Sequence, residues 1–175
     1  NNPAWLIARM ATDPAYKLTW AKGEDKLMVV SVGTGTSPKG DDGSLVPDIM
    51  IKRLLANRKI IGSLIQGNMV DQDINCRQIG RCVFGQKLDG EVGDMIPQRA
   101  GKPIPLEEDL GRAFLYGRYN AHLTRKALDE LGLFEVDERK VQKLNSVEHI
   151  DQLRMIGQRI GEDFDTGDFR PFMPQ

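Results

Sequence analysis

Two histidines, two cysteines, five serines and a few close pairs of carboxylates are the groups in this 175-residue chain best suited to chemistry. His122 and His149 have no second histidine at a metal-ligand spacing, so each reads as a structural or solvated ring. Five residues separate Cys76 from Cys82, which is not a usual zinc spacing, and there is no second cysteine pair. Buried free thiols are the expectation for both. A serine nucleophile on an exposed elbow needs G-x-S-x-G, and none of Ser31, Ser37, Ser44, Ser63 and Ser146 stands in that pattern. Asp71 with Asp73, and Glu91 with Asp94, are close enough in sequence to share acid–base work. They lie among Gln72, Arg77 and Arg81, which points instead to solvated faces or ion pairs. No complete catalytic set is visible, and no catalytic, substrate-binding or metal-ligating residue is assigned.

The glycine-rich run from Gly33 to Ser44 follows an apolar stretch and invites comparison with phosphate-cradling loops. Gly35 and Gly40 have the Walker spacing, but Asp41 and Asp42 stand where Lys and Ser/Thr are needed and would repel phosphate. The dinucleotide pattern G-x-G-x-x-G fails at Pro38. A nucleotide-binding α/β protein is therefore only the third choice. The loop still borders a site if the apolar stretch is a strand, because ligand crevices in open α/β sheets lie beyond the carboxyl ends of the strands.

These residues need a scaffold. The chain is long enough for one domain with a sizeable core. Twenty-four basic and 25 acidic residues give a net charge of −1, without the basic excess typical of nucleic-acid binding. No apolar run approaches the ~18–20 residues that span a bilayer, and there is no signal-peptide pattern. Two cysteines make no disulfide framework, so a reducing, cytoplasmic location is expected.

Asn2-Pro3 reads as an N-cap and first helical residue, opening a well-buried helix to about Ala11 through Trp5, Ile7, Ala8 and Met10. Leu27, Met28, Val29, Val30, Ser31 and Val32 form a short apolar run without alternation, predicting a parallel strand covered on both faces. One other strand is expected, around residues 113–116. Asp48 is expected to cap a long helix to about Gln66, with a stop or kink at Gly67-Asn68 and a shorter helix through Val70, Ile74 and Ile79. Residues 83–110 show no periodicity and predict a long irregular segment. Thr124 caps a short helix ended by Gly132. Asn145 with Glu148 resembles a capping box before a helix with Val147, Ile150, Leu153, Ile156 and Ile160 on one face. A polar tail runs from Asp165 to Gln175.

A chain opening on a helix cap, with a buried strand short of neighbours, is expected to be an internal cut with sequence missing upstream. Its pieces resemble the C-terminal half of bacterial patatin-like phospholipases. Asn1-Asn2-Pro3-Ala4 is similar to the segment after that family's Asp-Gly-Gly or Asp-Gly-Ala motif. The run from Val30 to Thr36, with Gly33-Thr34-Gly35, is similar to its strand and "LGTG" turn. Asp73-Ile74-Asn75-Cys76-Arg77, Gly80-Arg81, Phe84-Gly85 and the run from Asp89 to Asp94 resemble a mid-region of one bacterial subgroup. Tyr119-Asn120-Ala121-His122-Leu123-Thr124 and Leu131-Gly132-Leu133 resemble its late segment.

The resemblance implies an α/β fold. Residues 1–175 would be the C-terminal part of one patatin-like three-layer sandwich, mainly helical here, with one or two strands of the central sheet. It implies a lipid acyl hydrolase working by a Ser–Asp dyad upstream of Asn1, without metal or organic cofactor. The implied partners are a lipid or ester substrate and the missing N-terminal half. No nucleic acid or transmembrane segment is implied, and peripheral membrane contact remains open. The chain alone is then expected to be inactive. The alternative is a non-enzymatic helical interaction module.

Overall fold

The computed structural model describes residues 2–36, 49–143, 147–162 and 164–173, with the side chains of 49–63, 168 and 171 left aside. Three parallel strands form the main sheet: β1 (Met28–Val32), β2 (Arg81–Phe84) and β5 (Leu115–Tyr119), in the order β1-β5-β2. A two-stranded antiparallel ribbon joins β3 (Gln98–Arg99) to β4 (Lys102–Pro103). The helices are α1 (Ala4–Thr12), α2 (Ile49–Ile79), α3 (Arg125–Glu130), α4 (Glu138–Val141) and α5 (Ile150–Glu162). The chain is thus mixed α/β with a small parallel sheet, and three strands replace the one or two expected.

The missed strand is β2, which follows Gly80 directly. A Cβ on Gly80 would sit 2.3 Å from the Phe114 ring, so only glycine lets α2 turn this tightly into the sheet. The second expected strand is real but lies two residues later, at Leu115–Tyr119. It is buried along its whole length because it is flanked on both sides. In contrast, β1 alternates: Val29 and Ser31 are buried while Val30 and Val32 are exposed. The expectation of cover on both faces therefore fails. Among the described residues β1 is an edge strand with one covered face.

That face packs under α1 and the C-terminal half of α2. Ala4, Ala8, Leu27, Val29, Cys76, Cys82, Phe114 and Tyr116 form one core. Only the alanine stripe of α1 (Ala4, Ala8 and Ala11) is buried, and Leu6, Ile7 and Met10 face outward, contrary to the expectation of a helix buried on most sides. Small residues on the inner stripe let the α1 backbone approach the sheet closely.

The expected stop at Gly67 is absent: α2 runs unbroken for 31 residues. One interior glycine costs only about 1 kcal/mol relative to alanine. Burial of Asp73, Cys76 and Arg77 on the following turns anchors the helix beyond it. The proposed Asp48 and Asn145 caps lie outside the described residues, as do Ser37, Pro38, Gly40, Asp41, Asp42, Ser44 and Ser146.

Thr124 caps α3 as expected, its hydroxyl accepting from Ala127 N–H at 3.3 Å, and Gly132 follows at φ +73°. A second core gathers Ala121, Leu123, Leu128, Leu133, Val136, Val141 and Ile156. Of the expected α5 face only Ile156 is fully buried, with Leu153 and Ile160 partly so, while Val147 and Ile150 are exposed. The tail is not simply polar. Thr166–Phe172 is a 3-10 helix; Phe169 stacks with Tyr119 and with Phe164, Phe164 lies tilted against Tyr119, and Tyr119 itself stacks on Phe84 at 4.3 Å between ring centres.

A buried ion pair orders the later part of the 83–110 segment. Arg81 donates to Glu24 Oε2 at 2.9 Å, and also to the carbonyls of Ile104, Pro105 and Glu108. Glu24 Oε1 accepts from the N–H groups of Leu110 and Arg112 at 3.0 Å each. A segment without periodicity thus folds around a guanidinium, a partner that hydrophobic pattern does not register.

Candidate functional site

The parallel strands β1 and β5 end together, Val32 beside Tyr119. The segments that follow stay paired. Gly33 N–H donates to Tyr119 O, Thr36 N–H to Ala121 O, and Leu123 N–H to Thr36 O, each at 2.7 Å. Asn120 ties the two segments through its side chain, accepting from Gly35 N–H at 3.1 Å and donating to Thr36 Oγ1 at 3.0 Å. Gly33 makes room for that amide: a Cβ there would lie 2.0 Å from Asn120 Oδ1. Gly35 takes φ +100°, a region that favours glycine. The first two glycines of the loop thus serve close packing and a turn.

Beyond these ends a crevice of about 90 Å³ opens between the sheet and α2. Thr36, Asn120 and His122 line it from the strand side, and Asp73, Arg77 and Arg118 form its deepest charged wall. Lys87 stands at its exposed rim. Its position beyond the carboxyl ends of parallel strands is where α/β folds place ligands.

The wall is a buried polar network. Arg77 grips Asp73 with two bonds, Nε to Oδ1 at 2.8 Å and Nη2 to Oδ2 at 2.9 Å. Its Nη1 donates to the carbonyls of Gln86 and Asp94. Arg118 Nε faces Asp73 Oδ2 at 3.5 Å, and its Nη1 donates to Ser31 Oγ at 2.6 Å. Ser31 Oγ donates in turn to Asn2 Oδ1 at 3.0 Å. Asn2, only 3% exposed, also accepts from Ala4 N–H at 3.2 Å and faces the Tyr116 hydroxyl at 3.5 Å. The expected cap is thus off by one position: Pro3, not Asn2, is the cap residue of α1, which begins at Ala4, and Asn2 stands just before it with its side chain bonded to the first helical N–H. Burial raises the Tyr116 phenol well above its ordinary value, so it stays protonated.

The remaining candidates separate. His122 is half-buried at the crevice, with Nδ1 3.5 Å from Thr36 Oγ1, and burial lowers its pKa. His149 lies in a 3-10 turn before α5. Cys76 and Cys82 are buried free thiols, as expected, and burial pushes both up to about 12. Of the two carboxylate pairs, Asp73 is buried in its ion pair while Asp71 is exposed and bonds Asn75. Glu91 is exposed and Asp94 accepts from Ile96 N–H, so neither pair converges. The expectation of ion pairing holds for Asp73. Ser31 has its hydroxyl committed to Arg118 and Asn2, and among the described residues no histidine or carboxylate is bonded to it. Sequence reasoning did not single out Arg118 or Asn120. The arginine inside a strand flanked by aromatic residues was the signal that marked a buried charge.

Among the described residues no helix is long and apolar enough to cross a membrane, and no group of three His, Cys, Asp or Glu side chains is placed to hold a metal ion. No protein-family model matches the chain, and no curated protein or solved structure is significantly similar to it.

Proposed function

We propose that this chain is the C-terminal portion of a patatin-like lipid acyl hydrolase. In the complete protein a serine attacks the ester carbonyl, an aspartate takes its proton, and backbone N–H groups hold the oxyanion. Both side chains are proposed to lie upstream of Asn1, so this chain supplies scaffold and the border of the site.

The reading starts from the resemblance of the motifs in sequence, and one structural observation supports it. Asn2 is buried and hydrogen-bonded to Ser31, one residue from the carboxyl end of β1. The family resemblance puts the catalytic aspartate a few residues before this point. Such an aspartate would enter beside the strand ends, where α/β hydrolases assemble their chemistry. Among the described residues the outer edge of β1 also has no neighbouring strand. A groove of about 340 Å³ runs along it, bordered by Ile7, Trp20, Val30 and Val32, and an apolar strand edge of this kind is normally covered.

The test is turnover of a short-chain nitrophenyl ester by the protein extended upstream through a G-x-S-x-G serine, beside the 175-residue chain. The extended protein should hydrolyse the ester and lose turnover when that serine becomes alanine. The shorter chain should stay at background. Turnover by the shorter chain that disappears on replacing one of its own five serines would overturn the proposal.

A further inference from the structure

We infer that the crevice beyond β1 and β5 is a binding site for a phosphate-type oxyanion, held by the guanidinium of Arg118. Among the described residues of the buried wall one carboxylate, Asp73, faces two guanidinium groups. Arg77 takes both of its oxygens at 2.8 and 2.9 Å and gives its Nη1 to two carbonyls. Arg118 is left with the same carboxylate at 3.5 Å and with a neutral hydroxyl, Ser31 Oγ.

Arg118 is only 6% exposed, yet it lines the crevice. A buried cation needs a matched anion, because the low-dielectric interior replaces little of the lost hydration. Asp73 cannot neutralise both arginines. The excess positive charge is increased by Lys87 at the rim and faces the open space. Guanidinium groups present paired donors in a plane that fits phosphate and carboxylate oxygens. About 90 Å³ admits a small oxyanion with a few waters.

The same chemistry has two sources, free phosphate or the phosphodiester of a glycerophospholipid head group. The head-group source rests on the hydrolase reading above; the oxyanion site itself does not.

The experiment is a titration of the isotopically labelled 175-residue chain, followed by backbone amide NMR at constant ionic strength in sodium chloride. One arm adds inorganic phosphate and the other glycerophosphoglycerol. Saturable shifts confined to Thr36, Asn120, His122 and their neighbours are expected. Arg118→Gln should weaken binding at least tenfold, and Lys87→Gln, an exposed position that leaves the fold intact, by a smaller factor. If Arg118→Gln does not fold, the wild-type and Lys87→Gln titrations decide.

Saturation by both ligands supports the site and the head-group source. Saturation by phosphate alone supports the site and removes the head group as its ligand. Shifts that never saturate, or that lie away from the crevice, overturn the inference. Ester turnover is measured separately, so loss of this site leaves the hydrolase reading standing, and the reverse.

Discussion

Asn2 and Ser31 lie 29 positions apart in sequence and 3.0 Å apart in the fold, Ser31 Oγ donating to Asn2 Oδ1. The same amide oxygen accepts from Ala4 N–H, so one atom starts α1 and fixes it to β1. Through Ser31 the link continues to Arg118 and Asp73, and so to α2.

Asn2→Ala removes both hydrogen bonds at once. The cap contributes about 1 kcal/mol, and the buried Ser31 hydroxyl adds the cost of a lost partner, so a loss of about 1–3 kcal/mol is expected. Urea unfolding of Asn2→Ala, Ser31→Ala and the double variant checks it. The double variant should lose less than the sum, because the two side chains share one bond.

Gly33→Ala places a Cβ on Asn120 Oδ1, at 2.0 Å in the present geometry. The amide must turn away, which frees Gly35 N–H and Thr36 Oγ1 from their partner. Overpacking of this kind costs about 1–3 kcal/mol. Adding Asn120→Ala should recover part of the loss in the same unfolding assay, since the contacts at 2.0 and 2.6 Å go and only the Cβ contact at 3.1 Å stays.

Glu24→Gln leaves Arg81, 2% exposed, beside a neutral amide. Breaking one partner of a buried ion pair costs about 3–5 kcal/mol. The carbonyls of Ile104, Pro105 and Glu108 hang on the same guanidinium, so hydrogen exchange should rise across residues 104–112 as well. Lys126→Ala, which touches only an exposed pair with Glu130 at 3.9 Å, should change little.

Burial raises the thiols of Cys76 and Cys82 from 9.0 to about 12. Between these values the unfolded chain gives up thiol protons that the folded chain keeps. The folded state then binds more protons, so stability falls as pH rises from about 9 towards 12. At pH 8 both thiols should resist a disulfide reagent in the native protein and react fully after denaturation, a difference read from absorbance.

The local grammar of this chain was largely legible. Thr124 at its cap and the apolar run of β1 follow from residue type and spacing alone. What stayed hidden depends on partners distant in sequence. β2 is four residues long and carries Arg81, so it lacks a strand's apolar signature. The segment 83–110 looks patternless because its order comes from buried arginines: Arg77 holds the carbonyls of Gln86 and Asp94, and Arg81 pairs with Glu24, 57 positions away. Gly67 looks like a stop because propensity does not see Asp73 and Arg77 anchoring the turns beyond. The crevice was hidden for the same reason: the Gly33-Thr34-Gly35 turn marked one wall, while Arg118 and Asn120 come from a strand end 83 or more residues away.

The central claim is that the nucleophile of the complete protein is a serine outside this chain. A fluorophosphonate probe tests it directly, since an activated serine displaces fluoride and keeps the phosphonyl group. Peptide mapping of the labelled complete protein should place the adduct on a G-x-S-x-G serine encoded before Asn1, with no adduct on residues 1–175. An adduct on Ser31 or any other serine of this chain, or a complete protein that takes no label while folded, would contradict the account.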